Sequence, residues 1–305
     1  MYRLRGGSLS VRLISVMKKR YRLILTILLL LTCTAQSNAV CEVLILRDEA
    51  APLSDIVNEF RKTVRCETKE MISQGYSPGR ANNADMIFAV GVDAVTATAK
   101  VDRIPVIFTA IKNSHYALSS EKPNFHSVRL NVSLARQIAI IARVMPDVRR
   151  IGILYNPQVS GTLLGDAQSA AAQNEIELVT RRIVQPKDVA AALNGLKGKI
   201  DALLLIPDHI VITPDTTDFI GLYSLEQRIP VVAFSPKYLK LGAAMTISAS
   251  PADVGKKAAL LAQMLLAGDK VGRNSDVDVP QVDVNEVITR RLGIKVDYSA
   301  IKGMK

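Results

Sequence analysis

Residues 149–182, RRIGILYNPQVSGTLLGDAQSAAAQNEIELVTRR, contain the pattern that decides the fold. The apolar run Ile151–Tyr155 predicts a strand, Thr162–Asn174 predicts a helix, and Glu177–Arg181 predicts a second strand. A strand, a helix and a further strand in this order form a βαβ unit, in which a helix connects two parallel strands. The stretch therefore predicts a parallel sheet with helices packed on it.

The same alternation of strands and helices extends on both sides of this unit. Further predicted strands are Val43–Leu46, Met86–Val90, Val106–Ala110, Ala202–Ile206, Val231–Phe234 and Ala244–Ser248. Further predicted helices are Leu53–Val64, Asp93–Lys100, Ser133–Val144, Val189–Leu196, Thr216–Gln227 and Pro251–Ala267. Several of the strands are nearly continuous apolar runs, as strands buried on both faces require. The chain is therefore predicted to have an α/β fold.

A polar, turn-rich segment at residues 111–127 divides the pattern into two series of strands and helices. The second series ends at Ala244–Ser248, and the long helix Pro251–Ala267 that follows is placed to cross back to the first. Two α/β lobes joined by several crossings form a hinge architecture that can clamp a ligand. A length of 305 residues is also enough for two domains, each with its own core.

The first 39 residues have the order of a secretory signal peptide: a basic patch, an apolar run and a site of small residues. These are Lys18–Arg20, Leu23–Gln36 and Ser37–Ala39, respectively. We expect cleavage after Ala39 and export to the periplasm. A membrane anchor is less favoured because it needs about 20 apolar residues. A lipid anchor at Cys33 is also less favoured, because the preceding threonine is bulkier than the small residue usually found there.

Export changes how the net charge of +11 is interpreted. Residues 1–39 contain seven basic and no acidic side chains, so the mature chain has 32 Lys and Arg against 28 Asp and Glu, or +4. The remaining basic residues are scattered without interleaved aromatics, which argues against nucleic-acid binding. In an oxidising compartment, Cys41 and Cys66 are either one disulfide or two buried free thiols.

Motifs for catalysis or metal binding are missing from the sequence. The three histidines, His115, His126 and His209, are isolated and have no HxH or HExxH spacing. Phosphate-loop and nucleophile-elbow motifs are also absent. We therefore expect no cofactor, no metal and no catalytic residue, and an exported α/β hydrolase is the least favoured function.

Open α/β sheets bind ligands beyond the carboxyl ends of their strands, and this rule selects the candidate ligand-binding residues. In the first series they are Arg47, Gly91, Val92, Asp93, Ile111 and Asn113. In the second series they are Tyr155, Asn156, Ser160, Pro207, Asp208 and Ser235.

Each polar candidate has both a binding interpretation and a structural one. The Arg47 guanidinium is suited to a ligand carboxylate, but it is equally suited to Asp48 or another surface acid. Free backbone N–H groups after Gly91 favour an anion, whereas the glycine alone indicates only a tight turn. Ser160 is placed to contribute in the same way from the second series. Asp208 is placed to accept from a ligand amine or to cap the turn that follows it.

The aromatic candidates have two interpretations as well. Tyr155 and Phe234 lie at strand ends, where a ring can stack on a flat ligand. Rings at such positions also fill the core between two lobes. The sequence leaves this choice open.

Six segments resemble the type I periplasmic solute-binding proteins of ABC transporters, in the branch related to tryptophan- and tyrosine-binding lipoproteins. They are Arg103–Ala110 (RIPVIFTA), Met145–Pro157 (MPDVRRIGILYNP), Ile200–Asp208 (IDALLLIPD), Arg228–Ser235 (RIPVVAFS), Leu241–Gly255 (LGAAMTISASPADVG) and Asn285–Ile294 (NEVITRRLGI). They occur in the family's order across nearly all of the mature chain. The chain departs from the family between Arg65 and Asp85, which is short, and at Lys112–Asn113, which replaces the usual Asp-Pro.

The resemblance implies two Rossmann-like lobes with parallel sheets joined by a multi-strand hinge. Residues 40–130 plus 251–271 would form lobe one, and residues 131–250 plus 272–305 would form lobe two and a C-terminal tail. It also implies a monomer that captures a small metabolite, of which an amino acid is one candidate, and delivers it to an ABC permease in the inner membrane. A sensor module for a membrane receptor or kinase is the alternative.

Overall fold

The computed structural model describes residues 41–49, 53–77, 83–111 and 122–304. Its strands are β1 (Glu42–Arg47), β2 (Glu67–Ile72), β3 (Met86–Val90), β4 (Val106–Thr109), β5 (Phe125–Val128), β6 (Arg150–Tyr155), β7 (Glu177–Arg182), β8 (Ala202–Leu204), β9 (Val231–Ala233), β10 (Met245–Ser248), β11 (Asn274–Ser275) and β12 (Gln281–Val284). Its helices are α1 (Ser54–Thr63), α2 (Val92–Ala97), α3 (Leu134–Val144), α4 (Ala167–Gln173), α5 (Asp188–Asn194), α6 (Pro214–Gln227), α7 (Pro251–Leu266), α8 (Glu286–Leu292) and α9 (Tyr298–Lys302). The predicted signal peptide and Cys33 lie outside the described residues.

The strands form two sheets in which almost all pairings are parallel. The first sheet has the order β11-β5-β4-β3-β1-β2, and every pair in it is parallel. The second has the order β12-β10-β9-β8-β6-β7, where β12 alone is antiparallel to its neighbour among the described strands. The predicted α/β fold with two parallel sheets is confirmed.

The strands that the sequence did not predict are short or polar and lie at or near sheet edges. β2, with the sequence ETKEMI, is an edge strand with mostly exposed side chains. β5 lies within a segment whose polarity suggested a break, and β11 and β12 are edge strands beyond the last predicted helix. Edge strands lack the apolar signal of central strands because one side or face of them meets solvent.

The helix predictions differ from the structure mainly at one place. The segment Thr162–Asn174 is divided into a short 3₁₀ helix, Gly161–Leu164, and the α-helix α4. Gly165 and Asp166 separate the two parts, and glycine is a poor helix former. α7 begins with Pro251 in its first turn, as predicted, and Ser250 caps it through a hydrogen bond to the Asp253 N–H.

Both faces of each sheet are covered, as the apolar central strands require. All five residues of β3 are buried, and Phe88 stacks on Phe60 of α1 with ring centroids 4.1 Å apart. α1 and α7 pack closely at Gly255. A Cβ at this position would overlap the backbone carbonyl of Ile56, so only glycine allows this approach. On the second sheet, strand residues such as Leu203 and helix residues such as Tyr223 form a separate core cluster.

Three segments of the described chain cross between the sheets. The chain passes from the first sheet to the second after β5, returns after β10, and passes over again between β11 and β12. The residues after 272 pair with both sheets. Asn274–Ser275 pair with Ser127 and Val128 in the first sheet, whereas Gln281–Val284 pair with β10 in the second.

A disulfide connects the first two strands at the edge of the first sheet. Cys41 precedes β1 and is bonded to Cys66, which precedes β2, with their Cα atoms 4.9 Å apart. The Glu67 N–H also donates to the Cys41 carbonyl. The disulfide and the strand pairing therefore fix the same register between β1 and β2.

Candidate functional site

A cavity of about 480 Å³ lies at the carboxyl ends of the strands. Ile111 contributes from beyond β4 of the first sheet, and Asn131 comes from the first crossing. The second sheet supplies the rest of the lining through the loops that follow β6, β8 and β9. These residues are Gln158, Val159, Pro207, Asp208, His209, Ile212, Phe234 and Tyr238.

Three of the twelve ligand-binding candidates line this cavity, Ile111, Pro207 and Asp208, together with the aromatic candidate Phe234. The others are not among its lining residues, and Asn113 lies outside the described residues. The lining residues that the sequence did not select include Gln158, Val159, His209, Ile212 and Tyr238. They occupy the same loops as the predicted residues, a few positions further along, so extending each predicted loop would have found them.

The Asp208 side chain is occupied within its own lobe. It is 3% exposed and accepts four hydrogen bonds from described residues. Oδ2 accepts from the Asn156 N–H at 2.6 Å and the Ser160 hydroxyl at 2.5 Å. Oδ1 accepts from the N–H groups of Ile210 at 2.9 Å and Val211 at 3.2 Å. A carboxylate has about four acceptor positions, so Asp208 serves to hold the loops after β6 and β8 together.

Asn156 and Ser160 also stabilise the loop after β6. The Asn156 Oδ1 accepts from the N–H groups of Gln158 at 3.0 Å and Val159 at 3.3 Å, and its Nδ2 donates to the Ile183 carbonyl at 2.9 Å. Both Asn156 and Ser160 are buried. Because their polar atoms are paired, they position the loop that carries Gln158 and Val159 into the cavity.

The predicted anion site after Gly91 is filled by the chain's own carboxylate. Asp48, which follows β1, accepts from the N–H groups of Asp93 at 3.2 Å and Ala94 at 2.7 Å. Gly91 has φ +108°, and a Cβ there would overlap the Asp48 carboxylate. Asp48 therefore satisfies two N–H groups at the start of α2, those of Asp93 and Ala94, much as Asp208 satisfies N–H groups in the other sheet.

Arg47 makes an ion pair with a neighbouring strand. Its Nε donates to Glu70 Oε1 at 2.5 Å, and the Arg61 guanidinium contacts the same carboxylate. The hydrogen bond from Arg47 is the largest influence on Glu70 and, together with Arg61, lowers the pKa of this carboxyl despite its partial burial. Arg47 thus pairs with a surface acid, which is one of the two roles that the sequence left open.

Aromatic residues line one wall of the cavity. Phe234 and Tyr238 have ring centroids 5.2 Å apart and an interplanar angle of 59°. Ser235 lies between them, before the 3₁₀ helix that carries Tyr238. Tyr155 is not among the lining residues, and its hydroxyl accepts from Arg182 Nε at 3.3 Å.

A smaller pocket of about 100 Å³ adjoins the cavity, and Asn131 and Pro207 line both. Its other lining residues come from the first crossing, the start of α3 and the loop before α4. They are Arg129, Val132, Ser133, Leu134, Ala135, Gln137, Thr162, Leu163 and Asp166.

A third pocket, of about 300 Å³, lies at the opposite, amino ends of the second sheet's strands. It is lined by residues such as Val148, Asp201 and Ile229, which precede β6, β8 and β9. This position lies outside the region where α/β sheets bind their ligands.

Searches for other kinds of site in the described residues gave negative results. No group of three or more His, Cys, Asp or Glu side chains is arranged to hold a metal ion in the described ranges. Within the same part of the chain, no helix is both long enough and apolar enough to span a membrane.

Comparison with known proteins identifies the family. Residues 70–302 match the family described as ABC transporter substrate binding protein. The chain belongs to this family. Its members are substrate-binding components rather than enzymes, in agreement with the absence of catalytic motifs from the sequence. The resemblance inferred from the six sequence segments is thereby confirmed.

Individual relatives are distant. The tyrosine-binding protein of Clostridioides difficile (strain R20291) is 26% identical over 216 residues, which cover 68% of this chain and 61% of that protein. The chain thus spans about three fifths of the length of this relative.

Solved structures support the fold. The ligand-free, open structure of a substrate-binding protein with adhesive properties from Clostridium difficile matches with a TM-score of 0.64 and 21% identity, over 85% of this chain and 97% of that one. The ABC domain in complex with L-Trp from Streptococcus pneumonia matches with a TM-score of 0.54 and 17% identity, over 87% and 98% of the two chains.

Proposed function

We propose that this solute-binding component of an ABC transporter captures a small metabolite in the 480 Å³ cavity and delivers it to a permease. The observation that carries the proposal is the composition of the cavity lining. Ile111 follows a strand of the first sheet, whereas Pro207, Asp208 and Phe234 follow strands of the second. A ligand in this cavity would therefore contact both sheets.

The character of the lining supports an amino acid with an aromatic or large apolar side chain as the ligand. Phe234 and Tyr238 offer ring faces, and Ile111, Val159 and Ile212 add apolar surface. Aromatic rings pair favourably in tilted arrangements such as the one these two residues already adopt. Two relatives point the same way, since one is named for tyrosine binding and the other contains L-Trp.

Ligand binding in such a cavity would favour a closed arrangement of the two lobes. Lobe one would comprise residues 40–130 plus 251–271 with β11, and lobe two residues 131–250 plus the rest of residues 272–305. Contacts that form only when a ligand touches both walls stabilise the closed state selectively, so the ligand shifts an open–closed equilibrium.

The proposed location is the periplasm. Residues 1–39 would direct export and then be cleaved. The disulfide between Cys41 and Cys66 supports this location, because disulfides persist in oxidising compartments. We propose a monomer whose partners are its small-molecule ligand and the permease.

A thermal-shift screen of the exported, processed protein tests the proposal. The panel comprises the twenty amino acids, nucleosides, sugars and small organic acids. A ligand that binds only the folded state stabilises it by about 2.7 kcal/mol at a hundredfold excess over its Kd, which raises Tm by several degrees. We expect aromatic amino acids to give the largest shifts. A hit confined to sugars or nucleosides would contradict the proposed ligand class, and a blank screen would favour a sensor whose partner is a protein.

A further inference from the structure

The polar side chains that line the 480 Å³ cavity differ in whether they already have hydrogen-bond partners. The Asp208 carboxylate accepts the four hydrogen bonds described above, which fill its acceptor positions. Asn131, Gln158 and His209 line the same cavity, and their side chains make no hydrogen bond with another described residue. Three side chains with unused donors or acceptors therefore meet at one cavity, from the first crossing and from the loops after β6 and β8.

The lining of the cavity has one side chain that can carry a positive charge. The described lining residues include no lysine or arginine, and their titratable side chains are Asp208, His209 and Tyr238. The other lining segments, from Ile111 to the loop after β6, add no titratable group within the described chain. Of the three, only histidine becomes a cation on binding a proton. A ligand carboxylate therefore has His209 as its charged partner among the described side chains.

The backbone on both sides of His209 is held in place by hydrogen bonds to Asp208. Asp208 Oδ1 accepts from the N–H groups of Ile210 at 2.9 Å and Val211 at 3.2 Å. The Asp208 carbonyl accepts from the Ile212 N–H at 2.8 Å. His209 lies within this turn and is exposed, so a ligand that enters the cavity can reach it. Binding to a group on an ordered turn costs less entropy than binding to a loop that must first be ordered.

We propose that His209, in its imidazolium form, binds the carboxylate of an amino-acid ligand. A ring N–H donates to a carboxylate oxygen, and the opposite charges strengthen this hydrogen bond. The amide oxygens of Asn131 and Gln158 are acceptors for the ligand's ammonium group, and the ligand's side chain lies against the ring of Phe234. Histidine gains its proton between about pH 8 and pH 5, so the affinity for a ligand with a carboxylate rises as the pH falls through this range.

This inference rests on the proposed function and is tested by removing the carboxylate from the ligand. Titration calorimetry on the exported, processed protein compares L-tyrosine with tyramine and L-tryptophan with tryptamine, at about pH 6 and about pH 8. Both amines lack the carboxylate and keep the ammonium group. At the lower pH we expect the amino acids to bind about tenfold more tightly than the amines, because the amines cannot accept the charge-assisted hydrogen bond. At the higher pH we expect this ratio of affinities to be severalfold smaller.

A variant assigns the effect to His209. His209→Gln keeps a hydrogen-bond donor at this position but carries no charge at either pH, so we expect the ratio to be small and independent of pH. The matched control is Lys295→Gln, which neutralises an exposed cation at the distant 300 Å³ pocket and should leave the ratio and its pH dependence unchanged. A purely structural effect of the substitution would weaken amino acids and amines equally. If His209→Gln does not fold, the ligand series at two pH values still tests the proposal.

The possible failures are distinguishable. If the wild-type protein binds neither amino acid at either pH, the proposed ligand class is wrong, and the role of His209 with it. If it binds the amino acids and the amines equally, or if His209→Gln leaves the ratio at the lower pH unchanged, the proposed function stands and the role of His209 is refuted. A wild-type ratio that is the same at both pH values would also refute binding by the imidazolium.

Discussion

Two aspartates, Asp48 and Asp208, perform equivalent tasks in the two sheets. Each follows a strand at its carboxyl end and accepts hydrogen bonds from backbone N–H groups. Asp48 accepts from the first turn of α2, and Asp208 accepts from its own loop and from the loop after β6. Charge-assisted hydrogen bonds of this kind are stronger than neutral ones. The loops at the strand ends are therefore fixed by carboxylates of the chain itself, so a ligand need not order them.

Replacement of Asp208 by alanine should destabilise the second lobe. The Asn156 N–H and the Ser160 hydroxyl would lose a shared, buried acceptor, so we expect a loss of about 3 kcal/mol in the free energy of unfolding. Urea unfolding followed by circular dichroism measures this change. The control Asp218→Ala alters an exposed residue and should cost less than about 0.5 kcal/mol. Equal stability of the two variants would contradict the role assigned to Asp208.

Gly91→Ala should be more costly than an alanine substitution at another glycine with positive φ. Gly91 (φ +108°) has no room for a Cβ because of the Asp48 carboxylate, whereas Gly198 (φ +70°) has open space around it. We expect Gly198→Ala to lose about 1 kcal/mol from backbone strain alone, and Gly91→Ala to lose about 2 kcal/mol or more. Thermal unfolding of both variants provides the comparison. If Gly91→Ala lost no more unfolding free energy than Gly198→Ala, Asp48 would have to move aside without cost.

At the scale of elements, the central strands were predictable and the edges were not. β3 and β4 are fully buried; MIFAV is a continuous apolar run, and VIFT is apolar except for Thr109. β2 begins with four consecutive polar residues, ETKE, whose pairing depends on partners outside the strand, such as Arg47 for Glu70. The loops that form the cavity were predictable. Ligands of α/β sheets bind beyond the carboxyl ends of the strands, so only the positions of the strands are needed to identify these loops. Which side chains face it depends on long-range hydrogen bonds, and for this reason the sequence did not show that Asp48 fills the site beside Gly91.

The edge pair β1–β2 should lose stability as the pH falls. Arg47 and Arg61 hold the pKa of Glu70 below its usual value of 4.5. A carboxyl whose pKa is lower in the folded state stabilises the fold above its unfolded pKa, and this contribution is lost as the pH falls through the folded value. We therefore expect wild-type protein to be more stable than Glu70→Gln at about pH 7, and the difference to shrink as the pH falls below 4.5, the usual pKa of Glu70.

Urea midpoints measured across this pH range test the prediction. Glu226→Gln is a suitable control, because Glu226 is exposed and makes no ion pair among the described residues. Its stability should run parallel to that of the wild type. A constant difference between wild type and Glu70→Gln at every pH would exclude ionisation of Glu70 as the cause.

At the scale of the whole molecule, hydrogen bonds join the first and third crossings between the sheets. Asp276, in the third crossing, binds Arg129 and Ser133 of the first crossing. Arg136 donates to the carbonyls of Val277 and Asp278 in the same segment. These contacts hold residues 129–136 and 276–278 together. We therefore expect the two segments to bend together when one sheet moves relative to the other.

Ligand binding should accordingly make the protein more compact. We expect the radius of gyration from small-angle X-ray scattering to decrease when the amino acid selected by thermal shift is added at saturation, because the ligand favours the closed state. A non-binding amino acid from the same screen is the control. An unchanged radius on saturation with the bound ligand would mean that binding occurs without lobe closure.

The packing of α7 on α1 makes completion of the first sheet depend on residues near the end of the chain. Gly255 touches the backbone of α1, and Gln263 donates to the Thr63 carbonyl at 2.9 Å across 200 positions of the chain. A nascent chain that ends at Ser250 contains most of the strands, but the surface of α1 around Ile56 is still uncovered. Apolar surface exposed in an incomplete chain promotes aggregation. The first sheet therefore cannot be completed without residues 251–275. A chain that stops prematurely after Ser250 would lack α7 and β11.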